Sequence, residues 1–272
     1  MRGKTAIITG AATGLKGEIR GIGGATAWAF VREGATVYLA DINDELGERT
    51  TAQIRETGGA AHYVHLDVTD EALWQNTIDF IVKAEGALDV LVNNAGTGRD
   101  YDGDYSDPDG PQNAEEALKV EFTTVEGLDR QLGVHVRGAM LGMKYAIPEM
   151  RKRGGGSIIN VSSIHGIVGV DTITSYSTAK AGMRHMSKTV AIQYASENIW
   201  VNSVHPGYTK TPAALPLFTD PELYADRTSQ IPMGRYAESE EIANSILFLA
   251  SDESSYITCL LYTSPRPRDA TL

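Results

Sequence analysis

The chain has 272 residues, 42% of them hydrophobic and 22% charged, a formal net charge of −11 and a single cysteine. That length suits one α/β domain with a sizeable core, while the acidic balance excludes the basic face a nucleic-acid groove requires. One cysteine excludes an internal disulfide, and no apolar run reads as a signal peptide or membrane span, so a cytoplasmic location is expected.

Short β-branched runs alternate with longer helical stretches, the pattern of βαβ units around a parallel sheet. The first run, residues 5–9, enters a glycine-rich turn at Gly10, and an amphipathic helix is expected over 25–32. Between them, the string LKGEIRG over 15–21 interrupts the turn. Gly10, Gly21, Ile22 and Gly23 are expected to bring backbone up to a pyrophosphate. Glycine permits close approach, and a helix N-terminus offers N–H groups and a favourable dipole. Gly14 competes with Gly21 for the second glycine position, and Gly21 is preferred because Gly-Ile-Gly directly precedes the helix. Lys16 and Arg20, inside the interruption, are also within sequence reach of a phosphate.

The second run, 36–40, closes at Asp41. A carboxylate there accepts both hydroxyls of an adenosine ribose and repels a 2′-phosphate, which points to NAD rather than NADP; the plainer role is an N-cap for the next helix. Further strands are expected at 61–66, 90–93, 157–161 and 200–205, apolar runs of the kind that helices bury on both faces. Ligands in such sheets bind beyond the carboxyl ends of the strands. Residues 99–123, acidic and carrying Pro108 and Pro111, read as a solvated surface insertion or as a flap near the substrate mouth.

Tyr176 and Lys180 stand four apart at the start of a helical stretch and so share one face. A tyrosine with its ordinary pKa near 10 is a poor base at neutral pH. A nearby ammonium, with the positive charge of an oxidised nicotinamide, favours the phenolate and brings that value towards the working range. Ser163, thirteen residues before Tyr176, is placed to hydrogen-bond the same substrate oxygen. His62, His65, His165 and His205 show no metal-ligand spacing, and no metal is expected.

Six strings together resemble the short-chain dehydrogenase/reductase family from Lys4 to about Thr258. They are the interrupted TGxxxGxG turn, LDV at 66–68, NNAG at 93–96, INVSS at 159–163, YSTAK at 176–180 and NSVHPG at 202–207. The resemblance implies one doubly wound, three-layer αβα domain of Rossmann type spanning 1–258. It implies hydride transfer between a nicotinamide and a carbinol carbon, with Tyr176 exchanging the proton, Ser163 steadying the oxygen and Lys180 tuning Tyr176. By the same resemblance Asp67 and Val68 hold the adenine, and Asn93, Ala95 and Gly96 line the ribose side. Pro206, Gly207 and Thr209 contact the nicotinamide end, and Lys180 also binds the nicotinamide ribose. Family habit further implies a homodimer or homotetramer.

Three departures stand out. Where the family has an asparagine that holds a relay water, this chain has His135, which either substitutes there or is a satisfied helix histidine with the relay rerouted. The interruption at 15–21 splits the phosphate loop. The family's last strand is expected to be missing after Thr258, because residues 259–272 read as a non-native tail translated from a sequencing adapter. Residues 212–232 fall where the family keeps a substrate lid, and Ala213, Ala214, Leu215, Leu217 and Phe218 suggest a hydrophobic substrate, cyclic or steroid-like. The expected reaction is NAD-dependent interconversion of a small-molecule secondary alcohol and its ketone. The rival is a non-catalytic NAD-binding protein on the same scaffold.

Overall fold

A computed structural model describes residues 1–97 and 116–259 together with the backbone of 261–263. The strands are β1 (Thr5–Thr9), β2 (Thr36–Asp41), β3 (Ala61–His65), β4 (Val90–Asn93), β5 (Gly156–Val161), β6 (Ile199–His205), β7 (Thr209–Lys210), β8 (Ala237–Glu238) and β9 (Leu261–Thr263). The helices are α1 (Ile22–Arg32), α2 (Asp44–Glu56), α3 (Glu71–Glu85), α4 (Val125–Gln131), α5 (Gly138–Arg153), α6 (Thr174–Tyr194), α7 (Leu215–Thr219), α8 (Pro221–Ser229) and α9 (Ser239–Ala250). Seven strands pair in parallel in the order β3-β2-β1-β4-β5-β6-β9, and β7 with β8 makes a small second ladder. The order reverses beside β1, which opens a crevice at the carboxyl ends of β1 and β4.

Strand alternation sends successive side chains to opposite faces, and β1 shows it directly. Ala6 and Ile8 join the core under α1, α2 and α9, with Phe30, Ile54, Ile242 and Ile246. Ile7 joins the other core, with Trp74 and Ile78 of α3 and Leu141 and Ile147 of α5. Both faces are therefore dry, which is why the strand sequences are continuously apolar. Local chemistry sets the helix ends. Asn43 and Asp70 cap α2 and α3 by accepting from the Leu46 and Leu73 N–H groups, and left-handed glycines, Gly86 and Gly154, stop α3 and α5.

The expected strands all form, with small shifts of boundary, and α1 starts three residues earlier than expected, at Ile22. The expectation of no strand after Thr258 is corrected. Leu261–Thr263 pairs in parallel with Ser203, Val204 and His205, because an uncovered strand edge offers a row of N–H and C=O groups to any extended segment that follows. Of the acidic passage, 99–115 lies outside the described residues. Its last part forms two short 3-10 turns, Glu116–Leu118 and Val120–Phe122, before Thr124 caps α4.

Candidate active site

At the carboxyl end of β1 the interrupted turn is not split. The Gly21 N–H donates to the Thr13 carbonyl at 2.8 Å, so residues 14–20 loop out and Thr13 runs on to Gly21 as if nothing lay between them. Gly10 takes φ +65°, and a Cβ there would stand 2.8 Å from Ala95 Cα; one on Gly23 would stand 2.3 Å from the Gly10 carbonyl oxygen. Only glycine fits either place. Gly21 is the N-cap of α1 and supplies no side-chain cap, so the first-turn N–H groups face the loop without a side chain on them. An uncapped helix N-terminus beside a glycine cradle fits a pyrophosphate.

The looped-out residues turn away from that cradle. Leu15 is buried, Trp28 Nε1 donates to the Gly14 carbonyl at 2.7 Å, and Lys16 Nζ lies 4.6 Å over the Trp28 ring. Arg20 stacks on the same ring and pairs with Glu240 at 2.9 Å. The expectation that these cations reach a phosphate is therefore corrected: cation–π contacts and an ion pair hold them against α1 and α9.

Asp41 stands at the end of β2. Its carboxylate accepts from the Ala12 N–H at 3.0 Å and from the Asn43 N–H at 3.1 Å, which ties it to the glycine turn. The N-cap alternative falls to Asn43. Asp67 accepts from the Thr69 N–H and hydroxyl, both at 2.8 Å, and buried Val68 lies against Gly138. Asn93 is buried and donates to Asn160 at 2.8 Å. The Ala95 N–H donates to the Thr9 hydroxyl at 2.9 Å, and Gly96 lies against His135. Asn94, within the 93–96 stretch expected to line the ribose side, has a structural part as well: its Nδ2 donates to the carbonyls of Thr9 and Gly10, both at 3.0 Å, and staples the glycine turn to β4.

Ser163 sits two residues beyond β5 and caps a short turn, Ile164–Gly166, by accepting from the His165 N–H at 3.2 Å. The Ser163 side chain faces the Tyr176 phenol closely enough to act on its ionisation. Tyr176 and Lys180 open α6 on one face, with Lys180 Nζ 5.5 Å from the Tyr176 ring centre and donating to the Val161 carbonyl at 2.9 Å. The three expected residues are thus brought together. Burial alone pushes the Tyr176 phenol up, with Ser163 opposing, and drops Lys180 to about 7. In so dry a site the cost of stripping water from a charge outweighs what the polar neighbour returns.

His135 lies on a π-helical turn, Leu132–Arg137, a local widening of the helix frequent at functional sites. Its ring is buried and meets Tyr176 edge-on at 5.5 Å between centres. Among the described residues neither ring nitrogen has a hydrogen-bond partner, the Thr97 carbonyl lying alongside but outside that geometry. Burial, with the Lys180 ammonium close by, holds His135 well below the usual histidine range and therefore neutral.

Beyond β6 the Pro206 carbonyl accepts from the Ile164 N–H at 3.1 Å, and Thr209 donates to the Gly207 carbonyl at 3.0 Å. The stretch expected to be a lid, 212–232, carries helices α7 and α8, and a ladder of rings joins it to Tyr176. His165 stands 6.3 Å from Tyr176 and 6.2 Å from Tyr208; Tyr208 stacks on Tyr236 at 5.3 Å, and Tyr236 meets Phe218 and Tyr224. Of the five apolar lid residues expected to face substrate, Phe218 joins this ladder and Leu215 is 40% exposed.

Residues 17–261 match the family profile described as enoyl-(acyl carrier protein) reductase, one of the short-chain dehydrogenase/reductase profiles. The chain belongs to the short-chain dehydrogenase/reductase family. It is 40% identical over 258 residues to a 2,5-dichloro-2,5-cyclohexadiene-1,4-diol dehydrogenase of Sphingobium indicum, covering 95% of this chain and 93% of that protein. It is 39% identical to a cyclopentanol dehydrogenase of Comamonas sp., covering 93% and 92%. A crystal structure of a short-chain dehydrogenase/reductase from Burkholderia xenovorans superposes with a TM-score of 0.80 at 34% identity, over 97% of this chain and 95% of the other. Oxidoreductases of this family typically use a nicotinamide cofactor.

Proposed function

We propose that the chain is an NAD-dependent dehydrogenase that interconverts a cyclic secondary alcohol and its ketone. The observation that carries the reading is the convergence of buried Ser163, the Tyr176 phenol and buried Lys180, with Lys180 Nζ 5.5 Å from the Tyr176 ring centre. An aligned proton donor has no use in a protein that only binds a dinucleotide. Relatives named for cyclopentanol and for a cyclohexadiene diol, together with the aromatic ladder under the lid, support a ring-bearing substrate.

The cradle fits the cofactor residue by residue. Gly10, Gly21, Ile22 and Gly23 would hold the pyrophosphate, Asp41 the adenosine ribose, Asp67 and Val68 the adenine. Asn93, Ala95 and Gly96 would line the ribose side; Pro206, Gly207 and Thr209 would meet the nicotinamide end, with Lys180 on its ribose. Held by these residues, NAD would supply the hydride acceptor, or in reverse the hydride donor, for the carbinol carbon. The chain's own work is proton handling and alignment. In the reductive direction the protonated Tyr176 hydroxyl donates to the ketone oxygen while Ser163 donates a second hydrogen bond to it; in the oxidative direction Tyr176 takes the hydroxyl proton. Lys180 fixes Tyr176 from below. His135, neutral and without a hydrogen-bond partner among the described residues, is near enough to Lys180 to feel its charge and would be free to bond a relay water.

The test follows nicotinamide absorbance while cyclic and linear secondary alcohols are offered with NAD and, separately, NADP. Turnover with NAD on a cyclic alcohol, reduced about 10²- to 10⁴-fold in Tyr176→Phe, is the expected result. Preference for NADP would remove the ribose role of Asp41. NADH binding without any turnover would make the chain a non-catalytic binder.

A further inference from the structure

Three grips hold the turn that carries Ser163 to the end of β6. The Val204 carbonyl accepts from the Ser162 N–H at 2.8 Å, and the Pro206 carbonyl accepts from the Ile164 N–H at 3.1 Å. Both are backbone contacts that any residue at those positions would make. The third lies between them and is made by a side chain: His205 Nδ1 stands 2.9 Å from the Ser163 carbonyl oxygen. His205 is fully buried, and its other nitrogen, Nε2, stands 2.8 Å from the Ser203 hydroxyl.

Those two partners fix the proton on the ring. A carbonyl oxygen only accepts, so Nδ1 carries the hydrogen; Nε2 is then the acceptor, and the Ser203 hydroxyl must donate to it. Ser203 and His205 are two apart on one strand and so lie on the same face of the sheet. Burial drops His205 to about 4, which leaves it neutral and this arrangement intact at neutral pH. Ser163 itself is in extended conformation, φ −163° and ψ 160°, and its carbonyl also accepts from the Gly166 N–H at 3.0 Å. Holding this carbonyl, together with the flanking Ser162 and Ile164 contacts, fixes the stretch of backbone from which the Ser163 hydroxyl projects.

The geometry points to His205 as a positioning residue that, through a ring hydrogen bond backed by Ser203, aims the Ser163 hydroxyl at the substrate oxygen. This rests on the dehydrogenase reading above. It also assigns Ser203, a residue whose type carries no obvious chemical signal, a part in catalysis.

Coupling to Ser163 is the test, because a residue that merely supports the fold would not act through one hydroxyl. His205→Leu is expected to lower kcat about 10- to 100-fold, the scale of a small misplacement of a reacting group, with the KM for NAD within about twofold of wild type. His205→Asn keeps a donor in place of Nδ1 and is expected to recover most of that loss. In a Ser163→Ala background, His205→Leu is expected to cost less than about twofold more. An equal loss in both backgrounds, or a weakened NAD affinity, would overturn the proposal. Should His205→Leu not fold, Ser203→Ala serves the same cycle with a smaller loss expected. Nitrogen-15 NMR of the histidine rings reads the proton position without turnover: hydrogen on Nδ1 is required, and hydrogen on Nε2 overturns it. Absence of alcohol turnover in the wild type would instead count against the dehydrogenase reading, leaving the ring assignment to the NMR result.

Discussion

Two turns at the carboxyl edge of the sheet do related work and are built in opposite ways. The turn after β5 holds Ser163 with a buried polar network: His205, Ser203, the Val204 and Pro206 carbonyls and, one residue earlier, a Ser162 hydroxyl that donates to the Lys180 carbonyl at 2.8 Å. The turn after β1 admits seven extra residues, 14–20, because a single backbone hydrogen bond from Gly21 to Thr13 closes the gap. The difference follows from what each turn presents. A phosphate cradle needs backbone N–H groups at fixed places and is indifferent to chain that leaves and returns beneath it. A hydroxyl aimed at one substrate atom depends on every bond that orients its residue.

The comparison breaks most sharply at the glycines. Gly23→Ala puts a Cβ 2.3 Å from the Gly10 carbonyl oxygen, so NAD affinity is expected to fall more than about tenfold, about 1.4 kcal/mol, as read by titration with NADH. Unchanged affinity would mean the cradle is not where the cofactor binds.

Lys180→Met separates activity from stability. Turnover is expected to fall by about two orders of magnitude or more, while the protein becomes more stable at pH 7. The sign follows from burial, which drops Lys180 in the folded protein to about 7. Between that value and the ordinary lysine range near 10.4 the unfolded chain binds the additional proton, so wild-type stability rises with pH across that window. The gain in melting temperature from Lys180→Met should be fullest below about pH 7 and shrink towards pH 10, as calorimetry at several pH values would show. A constant difference across pH would contradict a charge-burial origin.

Deletion of residues 14–20, joining Thr13 to Gly21, sharpens the contrast. NAD affinity is expected to stay within a few-fold while melting temperature drops, since Leu15 and the Trp28 contacts are lost. Large loss of affinity would show that the insertion shapes the cradle. Trp28→Phe removes the indole donor to the Gly14 carbonyl and weakens the ring's hold on Lys16 and Arg20, and should cost about 1 kcal/mol or somewhat more in denaturant unfolding, with turnover unchanged.

Much of this was legible in the sequence because it depends on residue type at fixed spacing. The continuous apolar runs located six strands, and Tyr176, Lys180 and Ser163 come together as their spacing implied. What was hidden depends on where chain segments return in space. LKGEIRG reads as a break, since nothing in it shows that Gly21 will hydrogen-bond Thr13. Asn94, Ser203 and His205 sit in strings that the family resemblance picks out, but what each bonds to is visible only once β1, β4, β5 and β6 lie side by side. The seventh strand was unforeseen because pairing at a sheet edge uses backbone groups that every sequence carries. Spacing shows that Tyr176 and Lys180 are neighbours, whereas their burial, which shifts both groups towards the neutral form, is set by the whole fold.

The central claim is direct transfer of hydrogen between a carbinol carbon and NAD, with Tyr176 handling only the proton. The most direct measurement uses the alcohol turned over best, deuterated at its carbinol carbon, and follows the label by mass spectrometry. The account predicts deuterium in the reduced nicotinamide and none released to water, with the transfer lost in Tyr176→Phe while NADH still binds. Deuterium appearing in water, or transfer undiminished in Tyr176→Phe, would contradict it.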